Sequence, residues 1–483
     1  MRERSSLQTL VLLVSFATYV TVLHVAYRDF IAPQFGYLAF TYRSPHWASY
    51  LLVVLLATTL VLLMPRRLDR PSSVVLWLHF ALATAPSMLV PQYEAAISAS
   101  RALGFALFVG VAWLAVVLLT AERVRPTFRL SVRLPCSRGI WPLLAVAAGL
   151  FLSYLIVGLR LSPRFVGLGD VVDLRLSYRH VLTTASPLVP YALILTTNVI
   201  NPALMVFGLT ARRWWPMLAG AAGQLVIFSV TGYKKALLSI PIVVVVTWLW
   251  RRGRVGSGAI LGGFAVAMVL SSLALWLFEI RRPALLLLMR MLAVPGNLSS
   301  AYASIFWDLP DLRWSYSFLS WMFDYPYPEN PSFLVGSMFR GDEQISSNVN
   351  LFGDGFMNWS WAGVAVECLA LVVLLWFLDN AGRGLPAPVP AALCIVPTFA
   401  LANSSIFTSL VSHGFLALVA FLAVLPRSGW GAGDDPAPHQ PPGGIAQGER
   451  DAEDPDGRER RGTEDCGTGD AARHERETAG VPR

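Results

Sequence analysis

Lysine is almost absent from this chain. The only two, Lys234 and Lys235, are neighbours, and every other strong cation is Arg. Cysteine is scarce as well: Cys136 sits in a basic loop, Cys368 and Cys394 in apolar runs, and Cys466 near the end, which excludes a disulfide framework and a Cys metal site. No HxxxH, DxD, P-loop or GxSxG pattern occurs, so bound metal, nucleotide and acyl-enzyme chemistry have no motif behind them, and no cofactor is expected. No internal repeat is strong enough to argue an inverted-repeat transporter. Charge is also sparse, at 14% of 483 residues against 55% hydrophobic, a balance foreign to ordinary soluble proteins.

What the chain has instead is apolar runs of roughly 20 residues, the length that crosses a bilayer as a helix. The runs are continuous rather than alternating, so helices are expected and a barrel is not. The expected fold is therefore all-α, a polytopic membrane helix bundle of about twelve spans with both termini cytoplasmic. The net charge of +8 is not a nucleic-acid footprint, because most of it falls in short loops where it sets orientation. The first run, from Leu7 to about Tyr27, is too long for a signal peptide and reads as a retained span. Further spans are expected near 47–64, 74–90, 102–121, 140–159, 182–210, 216–230, 236–250, 259–279, 361–378, 391–403 and 413–426. Residues 1–426 thus form the membrane domain, with one long outer loop over 280–360. Residues 427–483 are rich in Gly, Pro, Asp, Glu and Arg, lack the apolar side chains to bury a core, and read as a disordered cytoplasmic tail.

Three outward segments, 160–180, 231–235 and 281–360, carry the groups that could do chemistry. They offer Arg175, Arg179, Lys234, Lys235, Arg281, Arg282 and Arg340. Arg grips phosphate oxygens in pairs and Lys adds a compact charge, so these cations suit a lipid pyrophosphate; as interfacial anchors they would instead snorkel to headgroups. The Lys pair sits at a tight turn between two short spans, where a position facing the protein interior is expected. Candidate acid–base groups are Asp170, Asp173, His180, Asp342, Glu343, Asp354 and His413, with Asp354 best placed between Gly353 and Gly355. Asp354 acts there either in catalysis or as a helix cap. Trp307, Trp314, Trp321 and Tyr325 either stack on sugar faces or form an interface belt.

Two stretches carry a resemblance. Val230-Thr231-Gly232-Tyr233-Lys234-Lys235-Ala236-Leu237-Leu238 follows an Arg-bearing outer loop, and Asn348-Val349-Asn350-Leu351-Phe352-Gly353-Asp354-Gly355-Phe356 opens a span after a long late outer loop. Together, over about 160–380, they resemble the oligosaccharide repeat-unit polymerases of the O-antigen polymerase (Wzy-like) type. In that family a small residue-Gly-x-Arg stretch commonly stands where this chain has Thr231 to Lys235, with Lys replacing Arg. The resemblance implies metal-independent glycosyl transfer on the outer face of a bacterial cytoplasmic membrane. Its partners would be a polyprenyl-pyrophosphate-linked oligosaccharide, membrane lipids and other polysaccharide-assembly proteins, with no nucleic acid. Arg175, Arg179, Lys234, Lys235 and Arg340 would meet the pyrophosphate; Asn350, Trp321 and Tyr325 the glycan; Asp354 and His180 would serve catalysis. A ligase using the same carrier, or a flippase that binds without chemistry, would use the same cations. A glycosyltransferase using a polyprenyl-phosphate sugar usually places an acidic pair in the first outer loop, which here has only Asp29.

Overall fold

The computed structural model describes residues 2–132, 139–167, 171–253, 255–427 and 430. Arg133, Cys136, Arg138, Asp170, Arg254, Cys466 and nearly all of the expected tail lie outside the described residues.

The described residues are helical. The long helices are α1 (Ser6–Leu38), α2 (Trp47–Leu63), α3 (Pro71–Tyr93), α4 (Ala99–Leu119) and α5 (Ile140–Gly158). A helix outside the apolar set, α6 (Val171–Thr184), follows. Then come α7 (Leu188–Thr210), α8 (Trp214–Thr231), α9 (Lys234–Arg251) and α10 (Ser257–Phe278). The last group is α11 (Arg281–Phe306), α12 (Pro331–Arg340), α13 (Leu351–Ala381), α14 (Pro388–Leu401), α15 (Ile406–Ser412) and α16 (Phe415–Val424). Eight of these are long and apolar enough to cross a membrane, or nine if the bent pair α15–α16, broken by 54°, is one span. The chain is thus a multi-pass membrane protein by length and composition.

Proline shapes several of the long helices in one way. Wide π turns occupy Tyr27–Ile31, Phe80–Thr84, Thr196–Ile200 and Leu285–Ala293, and each is followed two residues later by a proline: Pro33, Pro86, Pro202 and Pro295. A proline ring clashes with the carbonyl four residues back and offers no N–H to it, so the preceding turn widens. Here that carbonyl falls inside the π turn in all four cases.

Two faces organise the connections. On one, the basic face, Ser257 N–H donates to Arg66 O (3.1 Å), Trp250 Nε1–H to Leu68 O (2.9 Å) and Phe128 N–H to Asn380 Oδ1 (2.9 Å). On the other, the loop face, Arg43 N–H donates to Tyr93 O (3.0 Å), and buried Glu94 accepts from Tyr27, Thr41 and Asn297. Arg101 pairs with Asp308 there at 2.7 Å.

The expected loop over 280–360 is where the structure departs most from the sequence reading. Its first third is α11, apolar enough to be a span. α11 packs along α3, with Gly296 against Pro86 and Val90 and the Ser299 and Ser87 hydroxyls 2.8 Å apart. A lone Arg290 and the long polar region after Phe306 hid this helix in the sequence. The last residues of the loop, from Leu351, already belong to α13. The expected end of the membrane part at 426 is passed as well: Arg427 donates to Ala381 O (2.7 Å), and Trp430 is buried edge-on to Trp141 (5.3 Å).

α13 reverses on itself. Trp359 and Ser360 leave helical geometry, Ser360 with φ +49°. A Cβ on Gly363 would stand 2.0 Å from the Gly355 carbonyl oxygen, so the two backbones touch. Residues eight apart in a straight helix are about 12 Å from each other, so the contact requires a hairpin. Asn350 caps the short arm, accepting from Phe352 N–H (3.1 Å), while its amide donates to the Ser87 and Ser299 hydroxyls (3.1 and 3.0 Å). The short arm begins deep, with Phe352 against His79 and Trp113, and rises to Asn358 at the loop face before α13 crosses to Asp379.

Candidate functional site: a cation cluster and a carboxyl pair

The turn between α8 and α9 needs glycine. Gly232 has φ +66°, and a Cβ there would meet Val171 O at 3.1 Å and Arg175 Cγ at 3.2 Å. α6 lies over this turn: Arg175 Nε–H donates to Gly232 O (3.3 Å), and Tyr178 packs edge-on to Tyr233 at 5.6 Å. The charges of Arg175 and Arg179 act on Tyr233, whose hydroxyl burial raises above its ordinary value. Lys234 feels both Arg290 of α11 and Arg175, and Lys235 acts on His413. Four sequence-predicted cations, Arg175, Arg179, Lys234 and Lys235, therefore come together from two elements. α11 adds a fifth, Arg290, that sequence reading placed nowhere. The N-terminus of α9 has no side-chain cap, so its first N–H groups face the same region as the lysines.

Helix α15 links this cluster to a second group. At its start, Ile406 N–H donates to Glu367 Oε2 (2.7 Å), and Ser405 also reaches Glu367. Its C-terminal flank is His413, beside Lys235. α15 has 7 residues, so its axis is about 10 Å long at 1.5 Å per residue.

Glu367 faces Asp354 across the α13 hairpin, and both are buried. Asp354 accepts from Tyr316 O–H (3.0 Å), Trp314 Nε1–H (3.3 Å) and Asn358 Nδ2–H (3.1 Å). All of these donors are neutral, and no Lys, Arg or His among the described residues forms an ion pair with either carboxyl. Two carboxyls placed together without a cation resist ionising together. Glu367 Oε1 is buried and has no hydrogen-bond partner of its own. Tyr316 keeps its own proton: burial, then the neighbouring Asp354, raises it well above the usual phenol range. The cap reading of Asp354 does not hold, because Asn350 performs the capping.

The other candidates are dispersed. Arg340 ends α12, where burial lowers its pKa and leaves Nε without an acceptor; no hydrogen bond or ion pair described among these residues ties it to the cluster. Asn350 is fully buried and its side chain is spent on capping and on Ser87 and Ser299, so a contact with glycan is closed to it here. Trp321 stands 76% exposed on the loop face. Tyr325 lies against Tyr316 (5.9 Å) and donates to Glu329 O. His180 is exposed on α6 next to Arg179. Sequence reading missed Glu367, Tyr316 and Arg290. A lone acid in the apolar run after Ala362, and a lone Arg in Leu285–Ala293, were the signals available.

Among the described residues no group of three or more His, Cys, Asp or Glu could hold a metal. Neither a family model, nor a curated protein, nor a solved structure matches this chain.

Proposed function

We propose that this protein is a polysaccharide polymerase that joins polyprenyl-pyrophosphate-linked oligosaccharide repeat units at the loop face, taken as the outer face of a bacterial cytoplasmic membrane. The observation that carries this reading is the pairing of cations with carboxyls at the two ends of α15. A transferring enzyme of this kind must stabilise charge on a leaving diphosphate and accept a proton from an attacking hydroxyl. The two groups present supply those two needs from the two ends of one short helix.

In the proposed reaction, the acceptor hydroxyl oxygen forms a bond to the anomeric carbon of the donor glycan. The bond from that carbon to the pyrophosphate oxygen breaks, and the electron pair leaves with the diphosphate. Arg175, Arg179, Lys234, Lys235 and Arg290 match the charge that develops there. The hydroxyl proton passes to an ionised carboxylate of the Asp354–Glu367 pair. Trp321 and Tyr325 offer faces on which sugar rings stack. The twelve-span topology, with both termini on the basic face as the cytoplasmic side, is part of the same proposal.

The test is reconstitution with lipid-linked repeat units, reading glycan length on the carrier. Lengthening is expected from the native chain and its loss from Lys234→Ala and Lys235→Ala. Product ladders that persist in both variants remove the lysines from the mechanism. Lipid movement between leaflets without lengthening replaces the polymerase with a flippase, and transfer to a different acceptor replaces it with a ligase.

A further inference from the structure

We infer that the basic face carries a separate site for the negatively charged phosphodiester of an anionic phospholipid, with an acyl chain laid along α13. Its polar half lies at the opposite end of α13 from the carboxyl pair, so it does not rest on the glycan reading.

The polar half is a cavity of about 200 Å³ lined by Asp69, Arg70, Arg125, Asp379, Asn380 and Arg383, among others. Asp379 is already matched: it accepts from Ser72 N–H (2.9 Å), Ser72 O–H (2.8 Å) and Arg125 Nη1–H (2.9 Å). Asn380 is spent on Phe128 N–H and on Pro126 O and Trp376 O. The arginines are matched only in part. Arg70 Nη1 stands 3.8 Å from Asp379 Oδ2, too far for a hydrogen bond, and is buried without an acceptor. Arg125 Nε is also buried without an acceptor. Exposed Arg383 adds a third guanidinium at the rim, where Asp69 lies 3.8 Å from Arg70 Nε. Three cations against two carboxylates leave one positive charge around the cavity, with the Arg383 guanidinium exposed at its rim. A surplus positive charge carried by guanidinium groups suits phosphate oxygens, which Arg binds in pairs.

The apolar half says that the phosphate is attached to a hydrocarbon. A groove of about 630 Å³ runs between α13 and the α15–α16 pair, lined by Val366, Leu369, Phe377, Leu416, Ala420 and Leu130 among others. From Val366 to Phe377 it covers roughly 16 Å of helix, close to the length of one acyl chain. Its lower end adjoins the polar cavity. Phe377 stacks edge-on with Phe128 at 5.4 Å, and Phe128 N–H holds Asn380 of the cavity wall. A free phosphate ion would use the cavity and leave the groove unexplained; an anionic phospholipid uses both.

The test uses the full chain in detergent, with phosphatidylglycerol, phosphatidylcholine or inorganic phosphate added, read by thermal unfolding and native mass spectrometry. Phosphatidylglycerol is expected to raise the unfolding temperature and remain bound. Arg383→Gln, which removes a rim charge, should weaken its retention roughly tenfold, the worth of one charge-assisted hydrogen bond. Ala420→Trp, exposed in the groove, should weaken it comparably without touching the arginines. Equal retention of phosphatidylcholine overturns the proposal, as does a matching shift with inorganic phosphate alone. Unchanged retention in both variants overturns it too.

Discussion

α13 carries buried acids near both of its ends, and they are satisfied in opposite ways. Asp379, at the basic face, meets Arg125 at 2.9 Å, Arg70 at 3.8 Å and the Ser72 N–H and hydroxyl. Asp354 and Glu367, toward the loop face, meet only neutral donors and each other. An acid with cations beside it is a fixed charge that ties elements together, here α3, α4's trailing loop and α13. An acid pair without cations has no such tie, and the proposed proton transfer rests on that end of the helix.

Four measurements break or sharpen this contrast, beginning with the largest effect. Asp379→Ala should lower stability by about 3–5 kcal/mol, because it strands the Arg125 guanidinium and a buried N–H. Denaturant or thermal unfolding checks it, and a loss below about 1 kcal/mol would remove the structural role. Lys235→Ala should leave unfolding nearly unchanged while polymer formation falls by about 10²–10³, the usual cost of losing one electrostatic stabiliser of a developing charge. Glu367→Gln keeps an acceptor for Ile406 N–H and offers Asp354 a donor. Its stability should shift by less than about 1 kcal/mol even as glycan lengthening fails. If Glu367→Gln unfolds the chain as readily as Asp379→Ala, the two ends are alike and the comparison collapses. Asp308→Asn is the smallest. Arg101 holds the Asp308 carboxyl below its ordinary range, so the pair stabilises above the usual carboxylate pKa and is lost as pH falls through the depressed value. The pair is exposed and screened, so melting curves of Asp308→Asn and the native chain should superimpose at pH 7, and native stability should weaken only toward strongly acid pH.

Much of the frame was legible. Continuous apolar runs imply helices because a bilayer tolerates no unpaired backbone, and the π turns sit where Pro33, Pro86, Pro202 and Pro295 require them. The Lys pair could be placed beside Arg175 and Arg179 because Thr231-Gly232 marks a tight turn and α6 had no apolar run of its own. Asp354 was left open between catalysis and capping and Asn350 was read toward glycan; both types cap helices, and only the fold shows that Asn350 does so. Arg340 looked like a member of the cluster because sequence gives its sign and not its neighbours. α11 was lost because Arg290 and the polar residues beyond Phe306 outweighed its apolar content.

By itself, then, the sequence determined an all-helical membrane chain and the tight turn at Thr231-Gly232. These follow from forces acting within one turn or one span: backbone hydrogen bonding and transfer of apolar side chains. Tertiary structure alone decided that α13 folds back at Trp359–Ser360, that Gly355 and Gly363 touch, and that Asp354 thereby meets Glu367. A carboxyl's behaviour depends on which charges lie within a few ångströms, and that proximity comes from helices packing together rather than from residues adjacent in the chain.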